Sequence, residues 1–123
     1  MDRRRLGAWG EKKAIAYLRG KGASILAVNF RCKAGEIDII AREGSTVVFV
    51  EVKTRRDFVG GLPCESVGEG KQRRIARAAG AYLSAGCGDR RLAGADFRFD
   101  VIEVLLLGGR AWLRHVKGAF WGE

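Results

Sequence analysis

Between residues 35 and 55 the chain reads GEIDIIAREGSTVVFVEVKTR, two alternating apolar runs on either side of a Gly44-Ser45 turn signal. Side chains alternate across a strand, so Ile37, Ile39, Ala41, Val48, Val50 and Val52 are predicted to form one wholly apolar face. The other face carries Ile40, Val47 and Phe49 near the turn, and Glu36, Asp38, Glu51 and Lys53 at the far end. A two-residue turn pairs Glu43 with Thr46 and, counting outwards, Asp38 with Glu51 and Glu36 with Lys53. Directly opposed Cβ atoms stand about 5 Å apart, so two carboxylates meet with a lysine beside them. A cross-strand salt bridge on a solvated face is one reading of these charges, and a cation held between the carboxylates is the other. The apolar opposite face predicts a sheet covered on both sides, where inward acids need a partner, and this favours the cation.

Helical spacing predicts a first helix over residues 6–19, stopped by Gly20 and Gly22, with Gly7, Glu11, Ala14 and Leu18 on one face. Glu11 either joins a site or is a first-turn glutamate favoured by the helix dipole, and spacing alone does not choose. Residues 24–30, SILAVNF, read as a strand ahead of the hairpin. Residues 54–66, with Gly60, Gly61 and Pro63, read as a mobile surface loop that carries Arg55 and Arg56 just beyond Glu51 and Lys53. A second helix is predicted over residues 67–85, with Lys71, Ile75, Ala78 and Tyr82 on one face. Lys71 therefore points inwards as a candidate site residue, while Arg73, Arg74 and Arg77 add to a basic first half. Residues 96–107 read as a strand, Gly108-Gly109 as a turn, residues 111–116 as a last strand, and Ala119-Phe120-Trp121 as an apolar tail docked on the body. The order α-β-β-β-α-β-β predicts an α/β fold, one domain over residues 1–123, with a mixed sheet and helices on both faces.

Charge sharpens the functional class. Lys and Arg number 23 against 14 Asp and Glu, a net charge of +9, which predicts an anionic partner, nucleic acid first and an anionic membrane surface second, the latter without an amphipathic basic helix to carry it. No apolar run is long enough to suggest a membrane span. Cys32, Cys64 and Cys87 are odd in number and widely spaced, and fit neither a disulfide framework nor a zinc site. With no secretory apolar segment after the basic start Met1-Asp2-Arg3-Arg4-Arg5, a cytoplasmic address is expected. His115, the one histidine, reads as a strand residue rather than a general base. Trp9, Trp112 and Phe120-Trp121 leave a protein-interaction or assembly factor as a further class.

Glu36-Ile37-Asp38, followed on the next strand by Glu51-Val52-Lys53, resembles the PD-(D/E)xK nuclease superfamily, with Ile37 where the signature has proline. Nearly the whole chain resembles the YraN family of small bacterial proteins. That resemblance is carried by Gly10-Glu11 with Ala14 and Tyr17-Leu18, Asn29 with Arg31, GEIDIIA, VVFVEVKTR, Val67 with Lys71, RFDVI at residues 98–102, and His115-Val116 with Ala119-Phe120. The helix glutamate is also similar to that of the Holliday-junction resolvases of the superfamily, which argues for Glu11 at the site.

These resemblances imply a restriction-endonuclease-like core and Mg2+-dependent hydrolysis of phosphodiester bonds in DNA, including branched or structured DNA. By them Asp38 and Glu51, helped by the Val52 carbonyl, bind Mg2+, with Mn2+ as a substitute. Lys53 would orient or deprotonate the attacking water, and Glu11 would complete the metal's water shell or hold a second ion. Arg55, Arg56, Lys71 and Arg74 are expected to follow phosphates without reading bases. Glu36 would steer Lys53 or simply pair with it, and Asp100 would support the basic residues from the neighbouring strand. A homodimer is expected by analogy. The alternative is a nucleic-acid-binding module that keeps the fold without catalysis.

Overall fold

The computed structural model describes residues 2–56, 67–86 and 88–120. Helix α1 (Arg3–Gly20) leads into strands β1 (Ser24–Cys32), β2 (Gly35–Glu43) and β3 (Thr46–Arg55), then α2 (Glu69–Ala85), β4 (Asp96–Leu107) and β5 (Arg110–Phe120). This is the α/β order that the hydrophobic pattern predicts. Asp2 starts α1 by accepting a hydrogen bond from the Arg5 backbone N–H, satisfying one of the helix's orphan donors.

The five strands lie in chain order, β1 to β5, in one sheet. The pairs β1/β2, β2/β3 and β4/β5 are antiparallel, and β3/β4 is parallel, so α2 forms the crossover that a parallel pair needs. Gly44, at φ +61°, supplies the left-handed conformation of the tight hairpin turn, and Glu43 pairs with Thr46 as expected.

Both faces of the sheet are covered. Ala14 and Leu18 of α1 pack on Ile39, Ala41, Val48, Val50, Ile102 and Val104. On the opposite face Ile75, Ala78 and Ala79 of α2 pack with Ile40, Val47, Phe49, Phe99 and Val101. Helix α2 lies mainly over β2 and β1. Helix α1 comes close to the sheet at Gly10, where an added Cβ would stand 2.9 Å from Thr54 Cβ and closer still to its Oγ1.

Element ends differ from expectation by a few residues, most at the ends of β3 and β5. Thr54 and Arg55 continue β3 instead of opening a loop; residues 57–66 of the expected loop, with Pro63 and Cys64, lie outside the described residues, as do Cys87 and Trp121. Ala119 and Phe120 extend β5 rather than forming a separate tail. A register shift between Phe99 and Val101 lets β5 run on beside β4, and Phe120 stacks on Phe99 with centroids 5.1 Å apart. Among the described residues, no helix is long and apolar enough to cross a membrane.

Candidate functional site

The β2/β3 ladder runs from Glu43/Thr46 to Ile39/Val50 and stops. Continued, it would next join Ile37 and Val52 through their backbones. Instead the Val52 N–H donates to Asp38 Oδ2 at 2.8 Å, so a side-chain carboxylate takes the acceptor's place. On its other side β2 stays in register with β1 across this level, Val28 with Ile39 and Phe30 with Ile37, and the register shift of that pair lies further back, between Ile25 and Ala27. Asn29 has φ 53°, the one positive value at a non-glycine among the described residues. The break also ends strict alternation. Ile37 packs on the α2 side with Ile40, whereas Ile39 packs on the α1 side, so the single face expected for the two isoleucines does not form.

Beyond the break, Asp38, Glu51, Val52, Lys53 and Thr54 line an open cleft of about 580 Å³ with Glu11 and the first turns of α1, including Arg3 and Arg4. Glu51 is buried to 7% exposure and still carries a carboxylate. Lys71 of α2 donates to Glu51 Oε1 at 2.6 Å, and Lys53 Nζ lies 3.8 Å from the same oxygen. Burial, and then the Glu51 charge, push the Asp38 carboxyl up to about 7 against the opposing bond from Val52. Burial together with the nearby Lys71 charge lowers the Lys53 pKa. Burial also opposes the charge on Lys71, but its hydrogen bond and attraction to Glu51 outweigh this and raise it.

The donor set suits a hard cation in a sparse form. Mg2+ usually keeps several waters and takes one or two carboxylates, which Asp38 and Glu51 provide. Among the described residues, no three Asp, Glu, His or Cys side chains close into a metal-holding group. Glu11 lines the same cleft as Asp38 and Glu51.

The other expected site residues have varied surroundings. Glu36 does not face Lys53: it is exposed, pairs in register with Arg31 of β1, and its Oε2 lies 3.2 Å from Arg31 Nε, because the β2/β3 ladder has already ended. Lys71, expected along the phosphates, is paired with Glu51 at 2.6 Å. Arg55 extends from the end of β3 to Glu103, Nε to Oε2 at 3.1 Å. Arg56 and Arg74 are exposed, and the Arg74 backbone packs under Gly35.

Asp100 does not support the cleft's basic residues. It is fully buried on the α1 side, where it accepts from Arg98 Nε at 2.8 Å, Arg98 Nη2 at 3.0 Å and the Gly118 N–H at 3.0 Å. His115 Nε2 lies 2.6 Å from its Oδ2, and His115 Nδ1 lies 2.9 Å from the Tyr17 hydroxyl. An ionised carboxylate only accepts, so Nε2 carries a proton. Burial opposes the Asp100 charge, but the bonds from His115, Arg98 and Gly118 prevail and lower its pKa. The cluster is a strut joining β4, β5 and α1. His115 is a strand residue, as expected. No local pattern in the sequence signals the contact of Glu103 with Arg55 or those of His115 with Tyr17 and Asp100.

The family model for the uncharacterised protein family UPF0102 matches residues 10–104, a span that takes in Glu11, Asp38, Glu51 and Lys53. The chain belongs to UPF0102. The UPF0102 protein of Syntrophotalea carbinolica is 50% identical over 115 residues, covering 94% of this chain and 90% of its own. That of Caldicellulosiruptor saccharolyticus is 46% identical over 106 residues, 86% of each chain. That of Clostridioides difficile is 44% identical over 120 residues, 98% of this chain and all of its own. UPF0102 membership agrees with the YraN-like resemblance and assigns no activity.

Proposed function

We propose that this protein is a metal-dependent nuclease of the PD-(D/E)xK type, hydrolysing phosphodiester bonds in DNA on a restriction-endonuclease-like core. The observation that carries the reading is the break in the hairpin ladder, which leaves the Asp38 carboxyl, pushed up to about 7, in one cleft with Glu51 and Lys53. Asp38 in that condition, beside the buried Glu51, gains from a divalent cation, and structural packing alone gives no reason to bring the two acids together.

Asp38 and Glu51 would hold the cation, with the Val52 carbonyl as a further oxygen of the same cleft. Bound Mg2+ supplies neutralisation of the phosphate and an acidified water. Lys53, its pKa lowered, orients the attacking water and donates to the charge developing on the phosphate. Arg3 and Arg4 at the cleft and the exposed Arg56 offer phosphate contacts that carry no sequence information. A cytoplasmic homodimer would place two such centres on the two strands of a duplex or junction.

The test is a panel of branched, single-stranded and duplex DNA with Mg2+ or Mn2+. The parent is expected to cleave at least one substrate, and Asp38→Asn and Lys53→Ala, checked for folding by circular dichroism, to cleave none. If both variants cleave like the parent, the site is misassigned. One observation favours a binding module instead: Lys71 already neutralises Glu51 within the fold. Tight, salt-sensitive binding with no product from any substrate would support the module.

A further inference from the structure

The sheet face that carries Glu51, Lys53 and Arg55 continues across two more strands. Register places Lys53 beside Glu103 and Glu103 beside Arg114; one pair further on, Arg55 stands beside Leu105 and Leu105 beside Trp112. There a pocket of about 190 Å³ is lined by Glu103, Leu105, Trp112, Leu113 and Arg114. Trp112 is 54% exposed on the outermost strand, whereas Trp9 is half-buried with Lys13 over its ring.

The chemistry of the pocket selects its occupant. It is lined by Leu105 and by the buried acid Glu103, whose charge Arg55 balances at 3.1 Å, so this side of the pocket is close to neutral and accepts a flat uncharged ring. The indole of Trp112 offers a π-face, and exposed Arg114 and Arg110 offer charge to a backbone passing the rim. Strand spacing and rise put Trp112 about 16 Å from Glu51 across the sheet, a reach of a few nucleotides.

We infer that this pocket receives one unpaired base of a nucleic acid, stacked on Trp112, from a single-stranded segment a few nucleotides away from the Asp38/Glu51 cleft. The position of the scissile phosphate rests on the nuclease reading; the pocket and its stacking surface do not. The substrate class is thereby narrowed to strands with an unpaired stretch, such as a flap, gap or branch.

Binding in EDTA, followed by fluorescence anisotropy of a labelled thymidine decamer and of a blunt duplex, separates the two ideas because no cleavage is read. Trp112→Ala is expected to bind the single strand roughly ten-fold more weakly, with duplex binding unchanged. Trp112→Phe, which keeps a stacking face, is expected to bind both like the parent. Equal single-strand affinity for Trp112→Ala and parent overturns the inference, as does an equal loss on duplex. Trp112-dependent binding in a protein that cleaves no substrate would sink the nuclease reading and leave this one standing.

Discussion

Lys71 Nζ lies 2.6 Å from Glu51 Oε1, closer than Lys53 Nζ at 3.8 Å, so the helix rather than the strand supplies the main counter-charge of the buried glutamate. Lys71 thus stands where a cation would stand, and the two compete for one oxygen. Lys71→Met keeps the aliphatic stem and removes the competitor. In EDTA the variant is expected to lose about 1–3 kcal/mol of stability, because Glu51 keeps its burial and loses its donor. Calorimetric titration should show Mn2+ binding several-fold tighter than in the parent. Unchanged Mn2+ affinity would separate Lys71 from the cation site.

The raised Asp38 pKa makes a pH prediction. Below the ordinary carboxylate value of 3.8, native and unfolded chains both hold the proton. Between there and about 7 the native protein keeps it while the unfolded chain has lost it, so the native state binds more protons and stability falls as pH rises through that window. Thermal melts in EDTA should show this fall, and Asp38→Asn should flatten it and melt higher than the parent at pH 8. Millimolar Mg2+ should raise the parent's melting temperature more at pH 8 than at pH 5, since the ligand must be deprotonated. Identical pH slopes for the two proteins would show that Asp38 is not the group that titrates.

Asp100 and His115 lie on the other face and should affect stability without affecting chemistry. Asp100→Ala removes the acceptor of the buried His115 ring and of the Gly118 N–H and leaves Arg98 with Glu43 alone, with an expected loss of about 1–3 kcal/mol. Denaturant unfolding measures that loss. Nucleic-acid affinity per folded molecule should stay at the parent's value, and a selective loss of binding by a folded variant would place the cluster in the site after all.

The hairpin register is legible in the sequence because a two-residue turn at Gly44-Ser45 leaves one pairing for every residue that follows. The end of the ladder is not. Alternation assumes an unbroken strand, and nothing in GEIDIIA marks Asp38 as the residue whose side chain replaces a backbone acceptor. From that one omission come the misplacement of Glu36 opposite Lys53 and of Ile37 beside Ile39. Lys71 is legible as inward-facing from its spacing with Ile75 and Ala78, but its partner, 20 residues earlier, is not. Tyr17 and His115 are 98 residues apart, and the contact between them is made only by the packing of α1 against the far edge of the sheet.

The close approach of Gly10 to Thr54 acts as a ruler for the cleft. Thr54 meets α1 with its Cβ as well as its rotatable ends, so turning the threonine cannot make room for a methyl at position 10. Any larger residue there must lift the helix, and Glu11, the next residue along, would move away from Asp38 and Glu51 with it. How closely α1 brings Glu11 to the cleft is therefore limited by the bare hydrogen of Gly10, in a residue that bears no functional group.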